Sequence, residues 1–469
     1  MQTLELRDKN VLVLGLGCSG MAAASLLQRD GARVVVRDEA DGAQLEERAD
    51  QLRRLGVRVE LGNHFDTAAL FDLAVLSPGI APERPIVREI VTKRTPVLGE
   101  LELAYRFCLC PIVAVTGTNG KTTTTELIDS VLQTCGKRSL AAGNNGIAFS
   151  EAVDGSAGLD ALVLETSSFQ LEKIEQFHAD IALWTNLAPD HLDRHGSMDA
   201  YARAKTRIFM NQTSRDFAIV SANALKWARA TGCDINARVI TFSAWGQDAD
   251  LWVDWSDEQT IWSRLPECRG ILLRMNETNL RGLHNAENVL ATLATAIVMK
   301  LPMADVREAI CSYVPPPHRC EFVAEIRGVT YVNDSKATNV DAVEKALRAM
   351  PGPVLLIAGG RDKGLDFSTI KEVVAEKVKL AVLIGETRDK LEAAWGRRVH
   401  CVRAGSMDEA VQVAARHARR GDTVLLSPAC ASFDMFENYE DRGEKFKQHV
   451  LALLQKDFTA VKAVGTINQ

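Results

Sequence analysis

Short runs of apolar residues, many of them β-branched, alternate along the chain with segments whose apolar positions recur at helical spacing. Uninterrupted apolar runs are typical of parallel strands that are covered on both faces, and the segments between them are typical of amphipathic helices. This alternation predicts an α/β protein with doubly wound parallel sheets. The predicted strands are residues 11–14, 32–36, 74–76, 112–115, 161–164, 181–184, 354–357, 381–384 and 423–426. The predicted helices include residues 122–134, 286–299, 340–348 and 407–419.

Two breaks in the pattern divide the chain into three parts. One lies near residues 96–100, before a helix-like stretch at 101–107. The other is a run of three prolines at 315–317, which favours an extended connector because proline fixes φ and lacks a backbone N–H. We therefore expect domains at residues 1–99, 100–314 and 315–469, in keeping with roughly 150 residues per domain.

Composition and charge exclude several classes of protein. Hydrophobic residues make up 46% and charged residues 25% of the 469-residue chain, which is typical of a globular protein rather than a disordered or fibrous one. The net charge is −6 and no run of five Lys or Arg occurs, so we expect no nucleic-acid partner. No apolar run is long enough for membrane insertion. Ten scattered cysteines without a CxxC pair favour a reducing, cytoplasmic location.

A glycine-rich turn follows the first predicted strand. Residues 15–20 read Gly-Leu-Gly-Cys-Ser-Gly, and Asp38 ends the second strand. Glycines allow a diphosphate to approach the backbone, and the next helix offers unpaired N–H groups at its N-terminus. Asp38 is suited to accept a hydrogen bond from a ribose hydroxyl or a base N–H. The motif alone fits NAD, another nucleotide diphosphate, or a tight turn without a ligand.

A second loop, residues 116–123, reads Thr-Gly-Thr-Asn-Gly-Lys-Thr-Thr between a predicted strand and a helix. A strict Walker loop would have glycine at position 115, where this chain has Val115. The shorter loop keeps the same chemistry: its backbone N–H groups suit phosphate, Lys121 suits the β- and γ-phosphates, and the Thr122 hydroxyl suits Mg²⁺. The loop predicts ATP binding.

Candidate metal ligands follow neighbouring strands. Glu165 ends the strand at 161–164, and His191 comes shortly after the strand at 181–184. Both strand ends are expected at the same sheet edge as the phosphate loop, where Glu165 would bind Mg²⁺ and His191 would bind metal or position substrate. Lys205 on its own is typical of a solvated helix lysine.

Polar segments follow three strands of the C-terminal part, at residues 333–339, 359–364 and 427–434. Such strand ends favour a pocket rather than a core. Thr338, Lys363 and Ser432 would hold an anionic substrate there, and Arg319, just beyond the prolines, would reach the nucleotide.

These motifs occur together and in this order in the muramyl (Mur) ligases, the ATP-dependent amide-forming enzymes of bacterial peptidoglycan synthesis. The chain resembles that family over nearly its whole length. The Gly-Thr-Asn-Gly-Lys-Thr loop and residues 282–288, Gly-Leu-His-Asn-Ala-Glu-Asn, are similar to superfamily motifs. Residues 164–171, 333–339 and 427–434 look most like the branch that adds D-glutamate. The resemblance implies Rossmann-like N- and C-terminal domains and a central P-loop ATPase-type parallel sheet.

The resemblance also implies residue roles. The catalytic residues would be Lys121, Glu165, His191 and Lys205. The UDP-substrate would contact Gly17, Cys18, Ser19, Asp38, Ser77, Pro78, Gly79, Asn144 and Ser167. ATP would contact Gly117, Thr118, Asn119, Gly120, Lys121, Thr122, Thr123, Asn285, Asn288, Arg319 and Asp334. D-glutamate would contact His191, Thr338, Lys363, Ser432 and Tyr439, the last standing where the family more often has Phe. Two Mg²⁺ ions would be held by Thr122, Glu165, His191 and Lys205, the last as a carbamate formed with CO₂.

The expected activity is the addition of D-glutamate to UDP-N-acetylmuramoyl-L-alanine, driven by ATP through an acyl phosphate, by a cytoplasmic monomer. Another Mur-type or folylpolyglutamate-type amide ligase is the nearest alternative. A non-catalytic nucleotide sensor or an NAD-binding oxidoreductase is an alternative from another class, and the phosphate loop with Glu165 and His191 argues against both.

Overall fold

A computed structural model describes residues 5–62, 65, 69–81, 83–188, 191–280, 283–314, 317–338, 340–350, 352–362 and 364–465. For residues 44, 192, 193, 284, 341, 345, 349 and 454–465 it describes the backbone alone. The chain divides into two compact units, Met1–Tyr313 and Val314–Gln469. The first unit holds two β-sheets and the second holds one. The predicted α/β class is therefore confirmed, whereas the bounds of the three domains stay a prediction.

The N-terminal sheet is entirely parallel, in the order β3-β2-β1-β4-β5. Its strands are β1 (Asn10–Leu14), β2 (Arg33–Asp38), β3 (Arg58–Leu61), β4 (Leu73–Leu76) and β5 (Val97–Gly99). The associated helices are α1 (Cys18–Arg29), α2 (Ala43–Arg54), α3 (Pro85–Thr92) and α4 (Glu100–Tyr105). The strand order reverses beside β1, and ligands of doubly wound sheets bind at such a reversal. The glycine-rich turn follows β1.

The central sheet has nine strands in the order β14-β13-β12-β11-β10-β9-β6-β8-β7. They are β6 (Ile112–Thr116), β7 (Ser139–Gly143), β8 (Ala161–Glu165), β9 (Ile181–Trp184), β10 (Phe217–Ser221), β11 (Arg238–Ser243), β12 (Leu251–Asp254), β13 (Thr260–Ser263) and β14 (Gly270–Arg274). Strands β6 to β12 pair in parallel with one another. Strands β13 and β14 form an antiparallel extension that the sequence pattern did not predict.

Eight helices accompany the central sheet in the described part of the chain. They are α5 (Lys121–Thr134), α6 (Phe149–Ala152), α7 (Ser168–Leu171), α8 (Leu192–His195), α9 (Met198–Thr206), α10 (Ala222–Ala230), α11 (Leu283–Val298) and α12 (Met303–Ser312). Strand β6 is buried at every position between helices on the two faces, because its apolar residues alternate between two separate cores. This central position places the loop after β6 among the loops after β8 and β9.

The second unit has a six-stranded sheet in the order β15-β16-β20-β17-β18-β19, with only the β15–β16 pair antiparallel. The strands are β15 (Glu321–Ile326), β16 (Val329–Asn333), β17 (Val354–Gly359), β18 (Val378–Ile384), β19 (Cys401–Arg403) and β20 (Thr423–Leu426). The helices are α13 (Val340–Ala349), α14 (Lys371–Lys377), α15 (Arg388–Trp395), α16 (Met407–His417) and α17 (Tyr439–Gly465). In the described residues, no helix combines the length and apolar character needed to cross a membrane.

Candidate active site

The loop between β6 and α5 depends on two glycines. Gly117 has φ +154°, and a Cβ there would lie 2.0 Å from Thr185 Oγ1. Gly120 has φ +79°, and a Cβ there would lie 2.2 Å from Asn288 Oδ1. Any side chain would therefore push the loop away from its neighbours, and the positive φ adds backbone strain. The sequence folds this way because glycine occupies both positions.

The end of β9 holds the same loop in place. Thr185 Oγ1 donates to the carbonyl oxygen of Asn119 at 2.8 Å. Asn186 receives the Asn119 N–H on Oδ1 at 2.8 Å and returns a hydrogen bond from Nδ2 to the Asn119 oxygen at 3.0 Å. The Thr118 N–H donates to the Asn186 backbone oxygen at 3.1 Å. Asn186 thus holds the loop through both its side chain and its backbone oxygen.

Lys121, Thr122 and Thr123 occupy the first turn of α5, where backbone N–H groups lack partners within the helix. Lys121 Nζ donates to the carbonyl oxygen of Thr118 at 3.0 Å, so its ammonium folds back over the loop. A helix N-terminus, a lysine ammonium and a glycine-rich loop together favour a bound phosphate.

A carboxylate at the end of β8 lies against this first turn. Thr122 Oγ1 donates to Glu165 Oε2 at 2.7 Å, and Asn144 Nδ2 donates to Glu165 Oε1 at 2.9 Å. Glu165 is only 3% exposed. Carboxylate, hydroxyl and amide oxygens are the donors that Mg²⁺ takes in phosphate-binding sites. The residues present therefore fit a magnesium ion. Asn144, which is predicted to contact the UDP-substrate, lies beside the Glu165 carboxylate.

Helix α11 supplies the next layer around the phosphate loop. Asn288 Oδ1 accepts a hydrogen bond from Thr124 Oγ1 at 3.1 Å, and Asn288 Nδ2 donates to Asn285 Oδ1 at 3.2 Å. Glu287, beside them, is largely buried, and burial raises its pKa to about 7 despite hydrogen bonds with Trp245 and Asn186. The structure thus places Asn288 against the phosphate loop and Asn285 beside Asn288.

Lys205 is not the solvated lysine that its sequence context favours. Its side chain lies on α9 and is only 1% exposed. Nζ donates to the carbonyl oxygen of Gly117 at 2.7 Å and lies 4.7 Å from the centroid of the Tyr201 ring. Burial follows because α9 packs under the phosphate loop, which places Lys205 beside the candidate site.

His191 lies in the loop after β9 with φ +53°, immediately before α8. Its ring centroid is 4.8 Å from that of Phe169 and 6.2 Å from that of Tyr201. His195 Nε2 shares a hydrogen bond with Ser168 Oγ at 3.0 Å, and burial lowers the pKa of His195. Asp190, beside His191, lies outside the described residues.

The turn between β8 and α7 is also ordered by its own side chains. Ser167, predicted at the UDP-substrate, caps α7, with its hydroxyl accepting from the Gln170 N–H while the Gln170 side chain accepts from the Ser167 N–H. This capping box fixes the chain directly after Glu165 and presents Phe169 to the two histidines.

In the N-terminal sheet, Asp38 holds the glycine-rich turn. Its Oδ2 accepts from the Leu16 N–H at 2.8 Å and its Oδ1 from the Ala40 N–H at 3.0 Å. Ser77 Oγ donates to the carbonyl oxygen of Gly15 at 3.3 Å. The remaining predicted contacts are exposed or half-buried around this turn and could meet a ligand; they are Gly17, Cys18, Ser19, Pro78 and Gly79.

In the second unit, the three polar segments follow β16, β20 and β17, which are adjacent parallel strands. Asp334, after β16, accepts from Ser427 Oγ at 2.8 Å and from the Cys320 N–H at 3.2 Å. Burial raises the pKa of Asp334 to about 7. Arg319 is half-buried just before Cys320, so both predicted nucleotide contacts of this unit lie near one another.

Of the D-glutamate contacts predicted in this unit, Thr338, Lys363 and Ser432 belong to these segments, whereas Tyr439 follows them in the sequence. Thr338 is half-buried and Ser432 is buried. Tyr439 begins α17, where its ring centroid is 6.1 Å from that of His318 and 5.5 Å from Lys336 Nζ. Lys363 lies outside the described residues.

Arg442 supports the polar segments of the second unit, and sequence reasoning missed it. It is completely buried, with Nε donating to Ser335 Oγ at 3.0 Å, Nη2 to the Ser335 oxygen at 2.8 Å and Nη1 to the Cys430 oxygen at 3.0 Å. It therefore ties together the segments after β16 and β20. A charged residue in the polar first turn of a helix gives no sign of this role in the sequence. Asn186 was also missed, although it stands just after a predicted strand that borders the phosphate loop.

Three family models match the chain. They are described as "Mur ligase MurD-like, N-terminal domain" over residues 9–99, "Mur ligase middle domain" over 115–296 and "Mur ligase, glutamate ligase domain" over 318–430. The UDP-N-acetylmuramoylalanine–D-glutamate ligase of Koribacter versatilis is 40% identical, covering 97% of this chain and 100% of that one. The enzyme of the same name from Acidobacterium capsulatum is 42% identical, covering 96% and 97%.

Solved structures share the fold at lower identity. The UDP-N-acetylmuramate-alanine ligase MurC of Thermotoga maritima is 18% identical with a TM-score of 0.53, covering 95% of this chain and 99% of that one. The MurF ligase of the same organism, in complex with ADP, is 16% identical with a TM-score of 0.52, covering 96% of each chain. With family models matching all three sheets and full-length relatives at about 40% identity, the chain belongs to the Mur ligase family.

Proposed function

We propose that this Mur ligase joins D-glutamate to the L-alanyl carboxylate of UDP-N-acetylmuramoyl-L-alanine, forming ADP and phosphate. Relatives at about 40% identity over nearly the whole chain carry that activity in their names. The observation that carries the proposal is the contact of Thr122 and Asn144 with the buried Glu165 carboxylate beside the phosphate loop. This arrangement suits phosphoryl transfer, because it combines phosphate-binding N–H groups with metal-binding oxygens.

ATP is proposed to bind along α5 and its preceding loop. The loop residues Gly117, Thr118, Asn119 and Gly120 would border the phosphates, with the N–H groups of Lys121, Thr122 and Thr123 at the helix start. The N–H groups of Thr118 and Asn119 donate to Asn186, so these two residues are proposed as neighbours of the phosphates rather than as N–H donors to them. Asn285 and Asn288 border the same loop. Arg319 and Asp334 are proposed as contacts from the second unit.

Glu165 and Thr122 would hold Mg²⁺, with His191 and Lys205 as further proposed ligands of two ions. When bound, the metal neutralises charge on the phosphate oxygens during transfer. We propose that the Lys205 ammonium first loses a proton to give the free amine. The amine then adds to CO₂, which forms a C–N bond and releases a second proton to leave a carbamate. Its position supports this role, because Nζ is buried beside the phosphate loop, 2.7 Å from the Gly117 oxygen.

The reaction needs an activated acyl group, because a carboxylate is a poor electrophile. The L-alanyl carboxylate would attack the γ-phosphorus of ATP, breaking the bond to ADP and giving an acyl phosphate. The D-glutamate amine would then attack the acyl carbon, lose a proton and expel phosphate. The chain's part is to align these groups and to exclude water from the acyl phosphate.

The substrate contacts are proposed on three sets of loops. Gly17, Cys18, Ser19, Asp38, Ser77, Pro78 and Gly79 would bind the UDP moiety, with Asn144 and Ser167 toward the peptide. His191, Thr338, Lys363, Ser432 and Tyr439 would bind D-glutamate. We also propose that the enzyme acts as a monomer in the cytoplasm, and light scattering of the purified protein tests the monomer.

Phosphate release against a panel of UDP-sugar peptides and amino acids tests the proposed activity. We expect release only when UDP-N-acetylmuramoyl-L-alanine, D-glutamate, ATP and Mg²⁺ are combined. Preference for L-alanine, diaminopimelate or lysine would assign the chain to another Mur ligase activity. Glutamate transfer to a folate would assign it to folate polyglutamylation, and ATP binding without release would make it a sensor.

A further inference from the structure

Arg194 joins the loop of His191 to a different sheet. It lies on α8, three residues after His191, and its side chain is 16% exposed. Nη1 donates to the carbonyl oxygen of Pro78 at 3.2 Å, and Nη2 donates to Glu172 Oε2 at 2.8 Å. The guanidinium carbon lies 4.2 Å from the centroid of the Phe169 ring. One side chain thus makes three different kinds of contact.

Pro78 connects Arg194 to the proposed UDP-substrate loop. It follows β4, between Ser77 and Gly79, and Ser77 Oγ donates to the carbonyl oxygen of Gly15 in the glycine-rich turn. The contact at Pro78 therefore continues to the turn after β1. A displacement of Arg194 would alter the position of this loop relative to α8.

Phe169 connects Arg194 to the catalytic loop. Its ring lies against the guanidinium on one side and 4.8 Å from the His191 ring centroid. Its helix, α7, begins directly after Glu165 and Thr166. The Arg194 guanidinium accordingly supports the aromatic ring against which His191 rests.

A small cavity borders the same contact. It offers about 10 Å³ to a water molecule, roughly room for one, and its lining includes Ser77, Pro78, Glu100, Phe169, Lys173 and Arg194. Arg194 Nε and Glu100 Oε2 are both buried without a hydrogen-bond partner among the described residues. An unpaired buried polar atom costs about 1–3 kcal/mol, so packing stability alone does not account for an arginine here.

We propose that Arg194 is a positioning residue that couples the UDP-substrate loop to His191. The inference rests on the proposed function. Its physical basis is the planar guanidinium, which can donate in two directions and stack on a ring at the same time. A lysine ammonium is a point charge and cannot keep all three contacts. Binding of the UDP-substrate at Ser77–Gly79 and alignment of His191 are therefore linked through one side chain.

The test compares Arg194→Lys with Arg203→Lys. Arg203 also donates to a single backbone oxygen, that of Thr231 at 3.2 Å, but it is exposed and lies away from the substrate loop. For Arg194→Lys we expect the KM for UDP-N-acetylmuramoyl-L-alanine to rise at least tenfold and kcat to fall at least tenfold. The KM values for ATP and D-glutamate should stay within twofold, and Arg203→Lys should match the wild type throughout.

Two further measurements separate positioning from a general loss of structure. Methylguanidinium added to Arg194→Ala should restore at least a tenth of wild-type kcat, because it fills the vacated space with the same planar donor. Calorimetry without ATP should show at least tenfold weaker binding of UDP-N-acetylmuramoyl-L-alanine to Arg194→Lys. This affinity is measured without turnover, so absence of phosphate release by the wild type would count against the proposed function alone.

Three results would overturn the positioning role. Equal increases in all three KM values would assign Arg194 to general stability. Wild-type kinetics and affinity in Arg194→Lys would show that the guanidinium is unnecessary. Failure of methylguanidinium to restore any activity to a folded Arg194→Ala variant, as judged by its circular dichroism and urea midpoint, would also contradict the proposal.

Discussion

For Lys205, the sequence context predicts a solvated lysine, whereas the structure shows a buried one. Its ammonium is buried against the Gly117 oxygen and the Tyr201 ring. A solvated helix lysine could be replaced by Ala without harm, but a buried one leaves a gap beneath the phosphate loop. We therefore expect Lys205→Ala to lose about 1–3 kcal/mol in unfolding free energy.

If Lys205 acts as a carbamate, keeping a positive charge at this position will not preserve activity. We expect Lys205→Arg and Lys205→Ala to fall below about a hundredth of wild-type kcat, with Lys205→Glu keeping a trace. Acetate should partly restore Lys205→Ala by supplying a carboxylate. Phosphate release measures all three, and Lys226→Ala, an exposed lysine on α10, is the control. Turnover of Lys205→Arg above half of wild type would contradict the carbamate.

We expect Asp334 to make the stability of the second unit depend on pH. Burial raises its pKa to about 7 in the folded state, against about 3.9 in an unfolded chain. The folded state therefore binds the proton more tightly, and its contribution to stability is complete below pH 4 and lost as the pH rises to about 7. Asp334→Asn should remove this decline and make the unit more stable at pH 8, by on the order of 2 kcal/mol.

Hydrogen exchange of the β16 and β20 amides, corrected for intrinsic rates at pH 5 and pH 8, measures this difference. Asp366→Asn is the matched control in the same unit, because hydrogen bonds from Ser368 lower the pKa of Asp366 rather than raise it. A pH dependence in Asp334→Asn equal to that of the wild type would show that folding does not raise the pKa of Asp334.

At the scale of elements, the hydrophobic pattern was sufficient for the buried parallel strands and insufficient for the sheet edges. β6, β8 and β17 are buried at every position, and their sequences are apolar except for Thr116 and Glu165 at the ends of β6 and β8. In β14, Leu272 and Leu273 are buried whereas Ile271 is exposed, so burial follows neither an uninterrupted run nor a strict alternation. Such short strands depend on pairing with a neighbour, which is a tertiary contact that local sequence does not encode.

The same limit separates predicted from unpredicted site residues. Glu165 and Thr122 stood at strand and helix ends, where parallel topology brings polar groups together, and they form a hydrogen bond. Arg194 and Arg442 act through contacts with residues far away in sequence, at Pro78 and at Ser335. The neighbouring residues of an arginine in the sequence do not reveal such partners, so only the tertiary structure identifies these contacts.

A substitution at Gly120 tests the packing of the phosphate loop against helix α11. Gly120→Ala would place Cβ 2.2 Å from Asn288 Oδ1, and Asn288 is held by Thr124 and Asn285. We expect the dissociation constant for ATP, measured by calorimetry, to rise at least tenfold (about 1.4 kcal/mol). Affinity for the UDP-substrate should stay within twofold.

Gly136→Ala is the matched control for this change. Gly136 follows α5 at its other end with a similar φ of +73°, yet nothing lies within 4 Å of a Cβ built there. Both variants carry the strain of a positive φ, roughly 1 kcal/mol, so a weaker ATP affinity in Gly120→Ala alone isolates the contact with Asn288. Equal ATP affinities in the two variants would show that the loop tolerates the added methyl group.

At the scale of the whole molecule, the first unit holds two candidate nucleotide-binding turns on two separate sheets. The turn after β1 is held by Asp38, and the loop after β6 is held by Thr185 and Asn186. Each turn has its own supporting contacts, so a change in one set leaves the other intact. The sugar nucleotide and ATP should therefore be separable by single substitutions.

Lys121→Ala and Asp38→Asn form a reciprocal pair for that separation. Lys121→Ala removes the cation proposed for the phosphates, so we expect ATP turnover to fall at least a thousandfold while UDP-substrate affinity stays within twofold. Asp38→Asn puts an amide donor against the N–H of Leu16 or Ala40, both of which need an acceptor. It should weaken UDP-substrate binding at least tenfold and leave ATP affinity within twofold. Calorimetry with each ligand alone measures both affinities, and a variant that lost both ligands equally would contradict the assignment of the two nucleotides to separate sheets.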